Sequence, residues 1–285
     1  MNNPTAKTKR IRPSQYDLFD ALVLAALAAL FAPTFHKLAV LGWKAADYTH
    51  AYFIAPISFW LVFQKRNLLI KSQDTPAGAV LFFAAGLLLY IFAAVNAFMF
   101  LEAFSFVLVT AAVFKIKLTG ESFKKIHFPL AYLLFLVPPP GLLIDTVTLP
   151  LKKISTAGSY FLLKGVHLPV SVQGAILKVG NYDFFVADAC SGFRSIVTLM
   201  ALGSLYAYAQ KTSVARKWVI FLSVIPLGLM GNVLRIFMTG CLAHFVSIRY
   251  AEGFFHEFSG GVLFLFAVFG LIWVSDKVCG KQNVR

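Results

Sequence analysis

The feature that most constrains this chain is a series of apolar runs, long enough to be helices, that recurs from one end to the other. Of its 285 residues, 59% are hydrophobic and 13% are charged. Soluble domains carry about 25% charged residues, so the composition excludes an ordinary soluble domain. Repeated apolar runs with few charges are typical of transmembrane helices. The sequence therefore predicts an all-α polytopic membrane protein.

We predict eight spans in a single integral-membrane domain that covers residues 1–285, with no internal repeat. The first run is expected to be a span and not a cleaved signal peptide, because no small-residue cleavage site follows it. Pro138, Pro139 and Pro140 break the fifth span, since proline lacks a helix donor and clashes with the preceding turn. The predicted spans are residues 18–35, 48–63, 77–95, 98–114, 126–144, 191–209, 218–245 and 260–274.

Basic residues are concentrated in alternate connecting segments. With the N-terminus in the cytoplasm, every cytoplasmic segment carries at least three Lys or Arg residues, as the positive-inside rule requires. We therefore predict a multi-pass protein of a bacterial inner membrane, with both termini and a basic tail over residues 1–15 inside. The charge of +14 is spread over these loops and indicates no nucleic-acid patch. The Lys and Arg residues of the predicted cytoplasmic segments are Lys7, Lys9, Arg10, Arg12, Lys65, Arg66, Lys71, Lys115, Lys117, Lys124, Lys125, Lys211, Arg216, Lys217, Lys277, Lys281 and Arg285.

The segment 145–189 is predicted to lie outside the cell. Residues 146–164 show apolar positions at helical spacing with lysines between them, which predicts an amphipathic helix on the outer membrane interface. Two β-prone runs, 170–179 and 182–186, flank Gly180-Asn181, a pair that is typical of hairpin turns. We expect this short hairpin to lead the chain to Cys190 at the start of the sixth span.

Cys190 is the first candidate catalytic residue. It is placed at the first turn of a predicted helix, where free amides and the helix dipole favour a thiolate. Most free cysteines are instead small buried hydrophobes, and position alone leaves both interpretations open. Cys241, with His244 on nearly the same helical face, is a rival nucleophile, whereas Cys279 is predicted on the inner side. No cysteines form a CxxC pair, and we predict no metal and no cofactor.

Two arginines and a histidine are predicted at the same membrane face. Arg194 follows Cys190 by four residues and so shares its helical face. Arg235 is about 26 Å along the seventh span from its inner end, near the depth of Cys190. A charged group there requires a partner or a function, and stabilising an oxyanion is one such function. His256, in the last outer loop, is suited to act as general base and acid.

Cys190, Arg235 and His256 together supply a thiol, an oxyanion stabiliser and a base from three separate segments, which is what nucleophilic catalysis needs. Residues 189–194 are ACSGFR, residues 232–236 are NVLRI and residues 255–260 are FHEFSG. In this order, the three segments resemble the ACSGxR, NxxRI and FHDxxG motifs of the exosortase/archaeosortase family, with Glu257 where aspartate is frequent. The second span, from His50 to Arg66, is similar to the SHGFL…RR stretch of the same family.

This resemblance implies a membrane cysteine transpeptidase that cuts a C-terminal sorting signal, often of the PEP-CTERM type, and passes the exported protein to an acceptor. It implies that Cys190 forms a thioester, that Arg235 stabilises the oxyanion and that His256 moves protons. We assign Arg194, Ser191, Asn232 and His50 to substrate binding. The implied partners are proteins with a transmembrane tail, the bilayer, and a lipid or glycan acceptor. An intramembrane cysteine protease that only hydrolyses, and a non-enzymatic transporter or lipid-binding protein, remain alternatives.

Overall fold

The computed structural model describes residues 18–43, 48–72, 74–173, 176–180, 182–185, 193–246 and 254–280. Of residues 18–20, 173, 182–185, 194 and 254–258, only the backbone is described. The chain forms two compact units, Met1–Pro138 and Pro139–Arg285.

In its described residues, the first unit consists of helices and short connections, two of which meet in an isolated antiparallel bridge between Lys71 and Leu118. Most of its α-helices have apolar residues on most faces, as expected of helices surrounded by hydrocarbon, whereas the last begins with a charged stretch. They are α1 (Leu18–Lys37, continued by a π-helical turn at Leu38–Gly42), α2 (Ala51–Gln64), α3 (Ala77–Val95), α4 (Met99–Lys117) and α5 (Gly120–Tyr132, continued by a 3₁₀ turn at Leu133–Leu136).

A buried carboxylate joins α1 to α4. The side chain of Glu102 is only 2% exposed and accepts hydrogen bonds from Thr34 Oγ1 (2.9 Å) and Lys37 Nζ (2.8 Å). The Lys37 side chain is 41% exposed, so its ammonium reaches the buried acid from the surface of the unit. A buried charge is stable only when it is paired and hydrogen-bonded, and both conditions are met here.

Indole and phenol groups complete the backbone hydrogen bonding where α5 ends. Pro140 has no N–H, so the carbonyl of Leu136 cannot receive the usual helical bond from four residues later. Trp43 Nε1 donates to that carbonyl at 3.1 Å, and Tyr48 OH donates to the next one, Val137 O, at 3.2 Å. The break that the proline triplet predicts is thus present, and both carbonyls accept hydrogen bonds from side chains instead.

In its described residues, the second unit contains four helices and a small antiparallel sheet. The three strands pair in chain order, β1 with β2 and β2 with β3, and Val179 faces Tyr182 across the Gly180 turn. Gly180 has φ 61°, which glycine adopts without strain. The elements are α6 (Gly141–Gly165), β1 (Val170–Gln173), β2 (Ile176–Val179), β3 (Tyr182–Phe185), α7 (Phe193–Ala209), α8 (Val214–Phe245) and α9 (Phe254–Cys279). The predicted hairpin at Gly180 is confirmed, but the run 170–179 forms two strands and not one.

The helix predicted over residues 146–164 is present as α6, with an unexpected distribution of its polar residues. Thr148, Lys152, Ser155, Thr156 and Ser159 are buried, whereas the exposed residues include large apolar side chains as well as Lys153 and Lys164. Small hydroxyl side chains bond to backbone carbonyls and permit close helix packing, so a polar face can be the buried one when the surroundings are apolar. An interfacial helix would instead present its polar face to water. The position of α6 relative to a membrane surface stays a prediction.

The all-α polytopic class is confirmed, whereas the count of eight spans is not. Among the described residues, five helices are long and apolar enough to cross a membrane, or six if the helices on either side of the proline triplet form one broken span. The second and sixth predicted spans are α2 and α7, of 14 and 17 residues. A core about 30 Å thick needs about 20 helical residues, so these two fall short by length alone.

Candidate active site

The described residues of the candidate site belong to three helices of the second unit, α7, α8 and α9. Cys190 and Ser191 lie outside the described residues. Arg194 lies in the first turn of α7. His256, predicted in a loop, instead lies in the first turn of α9, because this helix begins at Phe254 and not at residue 260. Only the backbone of the two residues is described. Arg235 of α8 is the predicted catalytic residue whose side chain is described, so the geometry of the site starts from it.

The guanidinium of Arg235 lies directly against the backbone of α9. A Cβ built on Gly260 would overlap Nη2 and would lie 3.0 Å from Cζ and 3.7 Å from Nε. Gly260 follows His256 by four residues, which places the two on one face of α9, one turn apart. The structure therefore brings Arg235 of α8 close to the helical turn that carries His256.

A narrow crevice lies where α7, α8 and α9 meet. Ser195, Asn232, Arg235 and Gly260 form its polar part, and its remaining lining is apolar. Ser195 is the residue after Arg194 and the fifth after Cys190, so the beginning of α7 also borders this crevice. A guanidinium among such apolar walls interacts more strongly with a negative charge than it would in water, which is what oxyanion stabilisation requires.

Asn232 connects α8 to α6. It is 5% exposed, and its Nδ2 donates to Ser155 Oγ at 2.9 Å. One turn further along α6, Ser159 Oγ shares its proton between Ser155 O of its own helix, at 2.7 Å, and Val233 O of α8, at 3.0 Å. This described contact of Asn232 is a packing contact between helices. Its predicted role in substrate binding stays a prediction.

His50 belongs to the first unit, immediately before α2. It is half-buried, and its ring lies 4.8 Å from that of Tyr48. Tyr48 in turn is bonded to Val137 O, so the ring pair is held next to the end of α5. The assignment of His50 to substrate binding stays a prediction.

The rival nucleophile Cys241 has aliphatic surroundings. It packs against a cluster of Leu163, Leu168, Leu177, Val179 and Ile236 on the α6 and sheet side of α8. Its helical neighbour His244 lies against the Gly180 turn, with Nδ1 3.2 Å from a Cβ built there. These contacts favour a packing role for Cys241. In the described part of the chain, no three His, Cys, Asp or Glu side chains come together to hold a metal ion.

Comparison with known protein families shows to which family the chain belongs. The family described as transmembrane exosortase matches residues 43–273, which is most of the chain. The chain belongs to the transmembrane exosortase family. A search of curated proteins and a search of solved structures each return no match. The resemblance seen in the sequence is thus confirmed at the level of the family, and the exosortase is a multi-pass membrane protein.

Two residues that line the crevice with Arg235 are not predicted from the sequence: Gly260, which is only the last position of a motif, and Ser195. The contact between Arg235 and Gly260 joins residues that are 25 positions apart, and no local pattern predicts it. The available signal was a glycine inside a helix, four residues after a candidate histidine, because glycine in a helix interior is unfavourable unless something approaches closely.

Proposed function

We propose that this exosortase is a membrane-embedded cysteine transpeptidase that cleaves a C-terminal sorting signal of exported proteins and transfers them to an acceptor through a thioester. The observation that carries the proposal is the family match over residues 43–273. It is supported by the crevice that Arg235 lines together with Gly260, the residue one helical turn after His256.

In the proposed reaction, the Cys190 thiolate attacks the scissile carbonyl carbon and forms a tetrahedral oxyanion. Arg235 stabilises that negative charge, because a guanidinium is always protonated and donates in a fixed planar geometry. The C–N bond then breaks, and His256 in its protonated form gives a proton to the leaving amine. The products of this half are the released signal peptide and a Cys190 thioester.

The second half regenerates the enzyme. Neutral His256 removes a proton from the acceptor nucleophile as it attacks the thioester carbonyl, and the Cys190 thiolate leaves. The exported protein is then joined to the acceptor. Water as the nucleophile would give a free carboxylate instead, so transfer and hydrolysis differ only in this step.

The proposed substrates are exported proteins that end in a short motif, a transmembrane helix and a basic tail, of the PEP-CTERM type. The proposed acceptor is a lipid or a glycan. Ser191, Arg194, Asn232 and His50 are proposed to bind the substrate. We place the enzyme in a bacterial inner membrane, with both termini in the cytoplasm and the reaction on the outer face, because basic residues follow that pattern.

The test compares the C-terminal peptides of exported proteins, by mass spectrometry, in cells with the wild type and with Cys190→Ala. We expect clipped, acceptor-modified ends in the wild type and intact sorting signals in Cys190→Ala. Arg235→Ala should come close to Cys190→Ala, and Cys241→Ala is the matched control that should keep most processing. Clipped ends with a plain carboxylate would indicate a protease. Full processing by Cys190→Ala would overturn the mechanism.

A further inference from the structure

Gly260 differs from the other packing glycines of the second unit in what lies next to it. A Cβ on Gly203 would lie 2.5 Å from Val224 Cγ2, and one on Gly228 would lie 2.7 Å from Ile196 Cγ1. Those neighbours are short aliphatic side chains. Next to Gly260 lies the end of a charged side chain, Arg235.

Among the described residues, the space in front of Gly260 is occupied by the side chain of Arg235. The three atoms nearest to a built Cβ all belong to Arg235, and the third of them, Nε, is already at 3.7 Å, an ordinary van der Waals distance. No atom of the α8 backbone comes closer. Gly261, the next residue of the same helix, has no described atom within 4 Å of a built Cβ.

We propose that Gly260 is a positioning residue for Arg235: the absence of a side chain at this position creates the space in which the guanidinium lies. The inference rests on the proposed function, in which that guanidinium stabilises the oxyanion. It adds a residue of α9 to the machinery, one turn after His256, that contacts no reacting atom and acts through Arg235.

The physical reason is the difference in stiffness between the two partners. A methyl group at position 260 overlaps Nη2, so either the helices separate or the guanidinium moves. The end of an arginine side chain rotates at little energetic cost, whereas two packed helices do not separate easily. The charge therefore moves, by about 1 Å or more. Misplacement of about 1 Å in a catalytic geometry can reduce a rate by about 100-fold.

The experiment measures processing of an exported substrate by full-length Gly260→Ala, with Gly261→Ala as the matched control in the same helix. We expect Gly260→Ala to lose about 100-fold in kcat/KM, as a 1 Å displacement implies. Gly261→Ala should stay close to the wild type, and both variants should unfold at about the same temperature. Wild-type processing by Gly260→Ala would overturn the proposal.

The Arg235→Lys variant tests whether the loss of activity in Gly260→Ala depends on the guanidinium of Arg235. In Arg235→Lys, Nζ ends near the position of Cζ and does not reach the place of Nη2, so Gly260→Ala should cost less than about tenfold there. An undiminished loss of about 100-fold in this background would mean that Gly260 serves helix packing, and would overturn the proposal.

A measurement of unfolding tests, independently of activity, whether Gly260 provides space for Arg235 or serves helix packing. In the Arg235→Ala background, no atom of the described residues is left within 3.7 Å of a Cβ at position 260, so Gly260→Ala should be as stable as Gly261→Ala. A clearly lower stability of Gly260→Ala in this background would overturn the inference. Failure of the proposed function is a different result, namely that Cys190→Ala still processes substrate.

Discussion

The hydrogen bond between Asn232 and Ser155 is expected to couple α8 to α6 energetically. Both residues are buried, and Nδ2 lies 2.9 Å from Oγ. Hydrogen bonds between membrane helices contribute about 0.6 kcal/mol on average and up to about 1.7 kcal/mol. Because neither partner reaches solvent, we expect the upper half of this range. A double-mutant cycle of Ser155→Ala and Asn232→Ala should give a coupling free energy of about 1 kcal/mol or more.

The free energy of unfolding can be measured by titration with SDS in mixed micelles. Ser223 is the matched control, because its hydroxyl donates to Ile220 O within its own helix. Ser223→Ala combined with Asn232→Ala should be additive within about 0.3–0.5 kcal/mol, since the two sites share no partner. A coupling between Ser155 and Asn232 that is equally small would refute the reasoning. If Asn232 also contacts the substrate, Asn232→Ala lowers processing more than Ser155→Ala does at equal stability.

Two further pairs of substitutions test the packing, one pair in each unit. Gly158→Ala should lower the free energy of unfolding by about 1–3 kcal/mol, because a Cβ would lie 2.9 Å from Val233 Cγ2. The control Gly165→Ala meets open space and should change it by less than about 0.5 kcal/mol in the same titration. Lys37→Met should lower the free energy of unfolding by about 2 kcal/mol, because it leaves the carboxylate of Glu102 buried with one donor. Glu102→Gln should lower it by less, since Lys37 can turn to water. A larger loss for Glu102→Gln than for Lys37→Met would contradict this account.

Local signals in the sequence predicted much of the fold. The apolar run 77–95 coincides with α3, and the Gly180-Asn181 pair marks the turn between β2 and β3. Both features depend on short stretches of chain, which is why their residue types are sufficient to predict them. The proline triplet likewise ends α5, although its effect on Leu136 O and the compensating bond from Trp43 depend on distant residues.

The buried face of α6 could not be predicted in the same way. Helical periodicity separates a polar face from an apolar one, but the period is identical whichever face is buried. The choice depends on the surroundings of the helix, and Ser155 and Ser159 bond to α8, which the sequence places about 75 residues away. The contact between Arg235 and Gly260 is of the same kind, since it arises only when α8 and α9 pack together.

The most direct test of the central proposal is the intact mass of the purified exosortase after mixing with a substrate that carries a C-terminal sorting signal. We predict an added mass equal to the substrate up to its cleavage site, attached at Cys190 and released by hydroxylamine, as a thioester requires. The adduct should be absent in Cys190→Ala and present in Cys241→Ala. An adduct that persists in Cys190→Ala, or substrate cleavage by that variant, would contradict the account.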